Sequence, residues 1–297
     1  MKFFFAVLFF LCLFWILSGC QTVSEYKADS KVSVVYRNYD NIESKNSSFN
    51  VNESFENKNL TKLSSKKNHN SQSFENRYAL VIGNGNYPLY PLKNAKKDAA
   101  DISSLLNRFG FEVMYESDVN FEEMDVAIDK FYWKIKNGGV GLFYFAGHGV
   151  QVGNSNYLIP TDVVISSESD VRYKCIDVGR ILGKIEDAGN KMNVVILDAC
   201  RNNPFSRSYR SINRGLAQMD APAGTLIAYS TSPGKVASDG DGENSVYTKN
   251  LLHYISTTEL SIYDIFMHTR IAVMKETDGK QIPWESSSLT GYFYFNN

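Results

Sequence analysis

The sequence has almost no excess charge: 31 Lys and Arg residues stand against 32 Asp and Glu residues, a formal net charge of -1. Proteins that bind nucleic acid usually present a basic surface to the phosphates. We therefore exclude nucleic acid as a partner. With 297 residues, 43% of them hydrophobic, the chain is long enough for one sizeable globular domain with additional segments.

Long apolar runs are scarce as well. The one at residues 3–17 follows Lys2 and is too short for a comfortable transmembrane helix, but it suits the core of an export signal. Residues 17–20 (LSGC) resemble a bacterial lipobox, which implies that Cys20 is lipidated and becomes the mature N-terminus. An ordinary signal anchor is the alternative. We expect a signal peptide at 1–20 and a lipoprotein of the bacterial cell envelope, held to the membrane by its lipid and facing the periplasm or exterior.

Cysteine is rare, with four residues in the whole chain. Cys12 leaves with the signal and Cys20 takes the lipid, so Cys175 and Cys200 remain. Two thiols in an exported protein leave a disulfide as one alternative. Cys200, however, directly follows the apolar run 194–197 and is thus placed at the end of a predicted strand. This position favours a reactive thiol.

Several other signals are absent. Residues 21–76 are rich in Ser, Asn, Lys and Glu without a sustained apolar period, which indicates a flexible tether. Residues 83–87 hold two glycines of a dinucleotide fingerprint, but Pro88 takes the place of the third, so we expect no organic cofactor. The acidic run 239–243 lacks the full EF-hand pattern. It leaves calcium binding and an exposed acidic turn as alternatives, and we predict no metal site.

From residue 77 to 297 the chain alternates apolar runs with amphipathic stretches. Helices are expected over 95–109, from Asn120 onward, and over 178–185, 247–255 and 262–273. Strands are expected at 78–82, 111–115, 140–145, 194–197, 225–229 and 292–295. This alternation predicts an α/β domain, a three-layer sandwich with a mostly parallel sheet of about six strands.

His148 and Cys200 each follow a predicted strand directly. Ligands of open α/β sheets gather beyond the carboxyl ends of the strands, so one edge of the sheet can bring both residues together. An imidazole activates a thiol for attack on a carbonyl, and the backbone N–H groups of Gly149 and Cys200 are candidates to bind the oxyanion. A turn histidine and a core cysteine are the alternatives. The shared strand context favours a thiol enzyme.

Residues 143–149 (FYFAGHG) and 197–201 (LDACR) resemble the His and Cys motifs of the caspase and metacaspase family of cysteine peptidases. The likeness extends to residues 78–84 and 228–234 and covers essentially 77–297. It implies a caspase-like fold in which Cys200 is the nucleophile, His148 the base and Gly149 part of the oxyanion hole.

Departures from animal caspases imply a different substrate. Asp198 stands where those enzymes have glutamine, and Asp239 falls, in an ungapped alignment, where they have arginine. Metacaspases, which prefer Arg or Lys, carry aspartates that match Asp98 and Asp198. The resemblance thus implies that Asp98, Asp198 and Asp239 line a pocket for a basic side chain before the scissile bond. For Asp98 the alternative is a solvated helix face.

Three functions remain in competition. The first is a cysteine endopeptidase that cleaves peptides or proteins after Arg or Lys. The others are an inactive caspase-like domain that binds partners at the cell envelope, and a thiol transpeptidase. We favour the endopeptidase because both motif residues, His148 and Cys200, are present.

Overall fold

The structure is a computed structural model that describes residues 76–200, 212–213, 216–232, 237 and 242–296. Of Cys200, Ile212 and Asn213 only the backbone is described. The predicted signal peptide, the lipid-bearing Cys20 and nearly all of the predicted tether lie outside these ranges. Within them, no helix is long and apolar enough to cross a bilayer.

Among the described residues, six strands build the main sheet. In chain order they are β1 (Arg77–Gly83), β2 (Glu112–Ser117), β3 (Val140–Val152), β6 (Met192–Cys200), β8 (Thr225–Tyr229) and β9 (Trp284–Ser287). Their order in the sheet is β2-β1-β3-β6-β8-β9, in which the first five are parallel and the last is antiparallel. The inner strands are almost continuously apolar, as is usual for strands covered on both faces.

A small antiparallel extension grows from the far end of β3. It consists of β4 (Ser155–Leu158), β5 (Ile176–Asp177) and β7 (Ile212–Asn213), in which β4 and β7 both pair with β3. Strand β3 therefore continues past the main sheet, and its residues 149–152 pair with this extension. The sequence did not predict these three short strands.

Helices cover both faces of the main sheet. One face carries α1 (Ala95–Arg108), α5 (Val246–Ser256) and α6 (Ile262–Glu276), and the other carries α2 (Phe121–Ile135) and α4 (Val178–Ala188). Alternate strand residues face opposite layers, so that Tyr144 packs in the first layer and Phe143 in the second. The predicted three-layer α/β sandwich is confirmed. A short helix, α3 (Glu168–Lys174), was not predicted.

Local signals place several helix ends. Asn120 and Glu123 form a capping box at the start of α2, the helix expected from Asn120 onward. Gly110, two residues beyond α1, has a φ of 78°, a left-handed conformation that glycine adopts readily after a helix. The helices predicted over 178–185, 247–255 and 262–273 are all present, each slightly longer than expected.

The strand predicted at 292–295 is wrong. The side chains of Phe293 and Phe295 are buried against the first layer, but their carbonyls accept hydrogen bonds from the Ile262 N–H and the Arg77 guanidinium rather than from a strand. The sixth strand is β9, which has a polar sequence. The apolar alternation at residues 292–295 correctly indicated buried side chains, but it did not indicate whether the segment pairs as a strand.

Candidate active site

Strands β3 and β6 lie side by side, and their register pairs His148 with Cys200. The two residues occupy neighbouring backbone positions at the carboxyl edge of the parallel sheet, where the sequence predicted them to meet. The side chain of Cys200 lies outside the described part of the chain. A contact between sulfur and imidazole therefore stays a prediction.

The buried imidazole of His148 is held by the loop 84–94, which connects β1 to α1. Its Nε2 lies 2.7 Å from the carbonyl oxygen of Tyr90. Because a carbonyl oxygen only accepts hydrogen bonds, we assign the ring proton to Nε2, and Nδ1 is then the basic nitrogen. Tyr90 has a φ of 60°, a backbone conformation that is rare for residues other than glycine.

Tyr87, from the same loop, fixes the backbone of His148. Its hydroxyl accepts a hydrogen bond from the His148 N–H at 2.9 Å and donates one to the Ile159 carbonyl at 3.0 Å. The two ring centroids are 4.4 Å apart. A side chain at Gly147 would place its Cβ 2.6 Å from the Tyr87 hydroxyl, so this contact requires glycine there.

Two buried carboxylates lie on the first-layer side of the same sheet, and we call Asp98 and Asp198 the acidic pair. They are only 2% and 3% exposed, which excludes the solvated helix face considered for Asp98. Ser245 contacts both: its N–H donates to Asp98 at 3.0 Å, and its hydroxyl donates to Oδ2 of Asp198 at 2.6 Å. One residue at the start of α5 thus bridges α1 and β6.

A second chain of hydrogen bonds ends on Asp198. The Thr248 hydroxyl donates to Oδ2 of Asp198 at 2.8 Å and lies 2.7 Å from the Tyr144 hydroxyl. Because threonine has a single hydroxyl proton, Tyr144 is the donor in the second contact. Two hydroxyl donors therefore orient the Asp198 carboxylate from the α5 side.

Comparison with known proteins identifies the family of the domain that carries this site. The profile of the caspase domain matches residues 76–294. The chain belongs to the caspase-domain family of cysteine peptidases. A hydrolase of peptide bonds is the class of enzyme that this family implies.

Two curated relatives match part of this caspase domain. Mucosa-associated lymphoid tissue lymphoma translocation protein 1 of Homo sapiens is 30% identical over 164 residues, and its Mus musculus homologue is 29% identical over the same length. These matches take up 55% of this chain but 19% of either relative, so the chain spans about a fifth of the length of the curated relatives that it matches.

The solved structure of the Drosophila initiator caspase Dronc has the same fold. It superimposes with a TM-score of 0.57 at 17% identity, covering 76% of this chain and 86% of that one. The predicted family and fold are thus confirmed.

The electrostatics of the caspase domain centre on the acidic pair. Burial, and then the negative charge of Asp198, raise the pKa of Asp98 from 3.8 to about 8, although hydrogen bonds from Asn244 and Ser245 oppose the rise. Near neutral pH the raised pKa favours the protonated form of Asp98 beside Asp198. The free site therefore disfavours two simultaneous negative charges.

Gly149 lies next to His148 and is confined by its neighbours. A Cβ at this position would lie 2.9 Å from the Ala199 Cβ and 3.1 Å from the Leu216 side chain. Its partner in the antiparallel ladder is Leu158 of β4. The absence of a side chain lets the backbone of β3 approach β6 closely beside Cys200, at the place where the sequence predicted an oxyanion hole.

Other predicted residues fall elsewhere. Asp239 lies outside the described residues, as does most of the acidic run 239–243. Cys175 is a free, buried thiol whose burial raises its pKa to about 12, so it is not a second reactive cysteine. Among the described residues, no cluster of three or more His, Cys, Asp or Glu could hold a metal ion.

Sequence reasoning missed the residues that hold the site together. These residues contact the predicted site residues, but they do not belong to a recognisable catalytic motif. They are Tyr87, Tyr90, Ser245 and Thr248. For Ser245, a signal was present: a serine directly before an amphipathic helix is a typical N-cap, and the structure confirms this role at α5.

Proposed function

We propose that this protein is a cysteine endopeptidase that cleaves peptide bonds after Arg, and also after Lys, with Cys200 as nucleophile and His148 as base. The observation that supports it most is the register of β3 and β6, which makes these two residues neighbours at the sheet edge. Buried Asp198 lies two residues before Cys200 on the same strand.

In the first half of the proposed reaction, Nδ1 of His148 takes the thiol proton of Cys200. The thiolate attacks the carbonyl carbon before the scissile bond, and the carbonyl electron pair moves to oxygen. The backbone N–H groups of Gly149 and Cys200 bind this oxyanion. The intermediate then collapses, the C–N bond breaks, and the imidazolium gives its proton to the leaving amine.

In the second half, water enters and His148 Nδ1 accepts one of its protons. The hydroxide formed attacks the thioester carbon, the C–S bond breaks, and the imidazolium returns the proton to the departing sulfur. Throughout, the Tyr90 carbonyl keeps Nε2 protonated, so that Nδ1 is the nitrogen that gains and loses the proton. The cycle needs no organic cofactor.

The acidic pair is the proposed receptor for the basic substrate side chain. A guanidinium or ammonium between Asp98 and Asp198 supplies the positive charge that lets both carboxylates ionise. Binding then displaces the proton that Asp98 holds in the free site. A neutral or acidic side chain leaves the buried Asp198 charge unpaired or repelled, which is the basis for specificity.

We extend the proposal to the location of the enzyme. The LSGC sequence at residues 17–20 supports lipid attachment at Cys20 and a site on the cell envelope. A Cys20→Ser variant expressed in a bacterium should leave the membrane fraction and lose the mass of the acyl chains. If it stays with the membrane, the segment is a signal anchor.

The peptidase proposal is tested with a fluorogenic peptide that ends in Arg before the reporter. Cys200→Ala and His148→Ala should each reduce turnover to background while the circular dichroism spectrum stays unchanged. Mass analysis of the products distinguishes hydrolysis from transfer to an added amine. Activity retained in either variant would remove the dyad, and an inactive wild-type chain would favour a binding domain.

A further inference from the structure

Asp118 directly follows β2 and binds the loop that holds His148. Its Oδ1 accepts the backbone N–H groups of Gly85 and Asn86, each at 2.8 Å. Its Oδ2 accepts the Asn86 side-chain amide at 2.7 Å and lies 2.6 Å from the Lys96 ammonium. The Asp118 carboxylate thus accepts hydrogen bonds from both backbone N–H groups and the side-chain amide of the turn at residues 85–86.

This turn leads directly into the residues that contact the imidazole. The Gly85 carbonyl accepts the N–H groups of both Tyr87 and Leu92, which closes the loop around residues 85–92. From it, the Tyr87 hydroxyl reaches the His148 N–H and the Tyr90 carbonyl reaches Nε2. Asp118, which binds the turn, is therefore linked to the orientation of the imidazole through the hydrogen bonds of this loop.

We propose that Asp118 is a positioning residue for His148. It acts through the loop 84–94 and holds the imidazole in the orientation in which Nδ1 serves as the base. The inference rests on the proposed function, because that function gives His148 the role of base. It adds a residue outside the motifs, which follows β2 rather than the strands that carry His148 and Cys200.

The charge state of Asp118 suits this role. Its partial burial favours the neutral form, but the Lys96 hydrogen bond and charge and the N–H groups of Asn86 and Gly85 outweigh this and lower its pKa. An ionised carboxylate forms stronger hydrogen bonds to N–H donors than a neutral group does. The loop is therefore held by charge-assisted bonds throughout the neutral range.

Backbone hydrogen bonds, rather than the ion pair, carry the effect. The Lys96 side chain is 45% exposed, and ion pairs at such positions contribute little because water screens them. The two amide bonds from Gly85 and Asn86 instead fix the main chain that leads to Tyr87. Loss of the carboxylate should therefore matter far more than loss of Lys96.

The test is Asp118→Asn in the full-length chain, which preserves side-chain volume. It removes the charge that strengthens the bonds from the Gly85 and Asn86 N–H groups, and it replaces Oδ2, the acceptor of the Asn86 side chain, by a donor. We expect kcat for an Arg-ended fluorogenic peptide to fall on the order of 10- to 100-fold, as for a displaced catalytic group. KM should change less than about twofold, since the acidic pair is untouched. The pH midpoint for iodoacetamide alkylation of Cys200, mapped by peptide mass, should move toward that of a free thiol.

Three further variants define the result. Asp125→Asn removes an exposed carboxylate that pairs with Arg180, and should behave as wild type. Lys96→Met should lose no more than about threefold in kcat. Tyr87→Phe removes the hydroxyl that binds the His148 N–H, and it should reproduce the alkylation shift even if Asp118→Asn fails to fold.

An Asp118→Asn protein with the wild-type alkylation profile overturns the inference, whatever its kcat. If Asp118→Asn does not fold, a wild-type alkylation profile in Tyr87→Phe overturns it instead. If the wild-type chain cleaves no Arg peptide, the proposed function fails, but the alkylation comparison still decides whether Asp118 tunes the pair of His148 and Cys200. The two failures are thus separable.

Discussion

The hydroxyl of Ser245 donates a hydrogen bond to Oδ2 of Asp198 over 2.6 Å. Its backbone N–H donates to Asp98, and its side chain also accepts the Thr248 N–H as the N-cap of α5. The start of this helix and the geometry of the acidic pair are therefore coupled. Any shift of α5 alters the receptor that we propose for the basic substrate side chain.

Replacement of Ser245 by alanine should weaken substrate binding specifically. Asp198 loses a short hydrogen bond, so we expect KM for an Arg peptide to rise about tenfold, near 1.4 kcal/mol, with kcat nearly unchanged. The lost cap should also lower the free energy of unfolding by about 1 kcal/mol. Steady-state kinetics and urea denaturation measure the two effects.

Ser261 provides the matched control. Like Ser245 in α5, it is the N-cap of its helix, α6, but its N–H and hydroxyl donate to Asp264 rather than to the acidic pair. Ser261→Ala should lose a similar amount of stability and keep the wild-type KM. Equal changes of KM in both variants would mean that stability, rather than the contact with Asp198, accounts for the effect.

Asp98 should make the protein less stable as the pH rises. Folded Asp98 keeps its proton up to about pH 8, whereas the unfolded residue loses it near pH 3.8. Between these values the unfolded state binds fewer protons, so the free energy of unfolding decreases with increasing pH. Asp98→Asn removes this dependence, and its advantage over wild type should grow from pH 5 to pH 8 in urea denaturation.

An exposed aspartate serves as the comparison for this effect. Asp187 lies on the surface of α4, and Asp187→Asn should change stability by a similar small amount at both pH values. Parallel pH profiles of wild type and Asp98→Asn would show that Asp98 ionises normally in the folded protein.

Much of the fold could be predicted because parallel strands that are buried on both faces have continuous apolar sequences. The runs at 140–145 and 194–197 predicted β3 and β6, and with them the edge where His148 and Cys200 lie. Strand β9 could not be found this way. It is an edge strand of polar sequence that pairs only with β8, so its position depends on the completed sheet.

The site was predictable to a similar extent. Motif residues with distinctive chemistry, such as Asp98 and Asp198, were selected from the sequence, and the structure brings both to Ser245. Supporting residues such as Tyr87 and Asp118 were missed, because their roles depend on a loop that folds back from β1 onto β3. Long-range contacts of this kind leave no local period in the sequence.

Replacement of Asp198 by asparagine should change specificity while leaving the nucleophile intact. Without the carboxylate charge, kcat/KM for an Arg peptide should fall on the order of 10- to 100-fold, as expected for loss of a charged hydrogen bond. The same peptide with citrulline, a neutral analogue of arginine, should be affected much less. Cys200 should still react with iodoacetamide, and an unchanged ratio of Arg to citrulline cleavage would discredit the acidic receptor.

Replacement of Gly149 by alanine tests the close approach of β3 to β6. The new methyl group would lie 2.9 Å from the Ala199 Cβ and 3.1 Å from Leu216, so the backbone must shift, at a cost of about 1–3 kcal/mol in stability. The same shift displaces the N–H group proposed for the oxyanion, and kcat should fall strongly. Gly183 in α4 is the control, because a Cβ added there would have no neighbouring atom within 4 Å. Gly183→Ala should instead stabilise the chain by about 0.5–1 kcal/mol and keep full activity. A folded Gly149→Ala protein with wild-type kcat would place the oxyanion hole elsewhere.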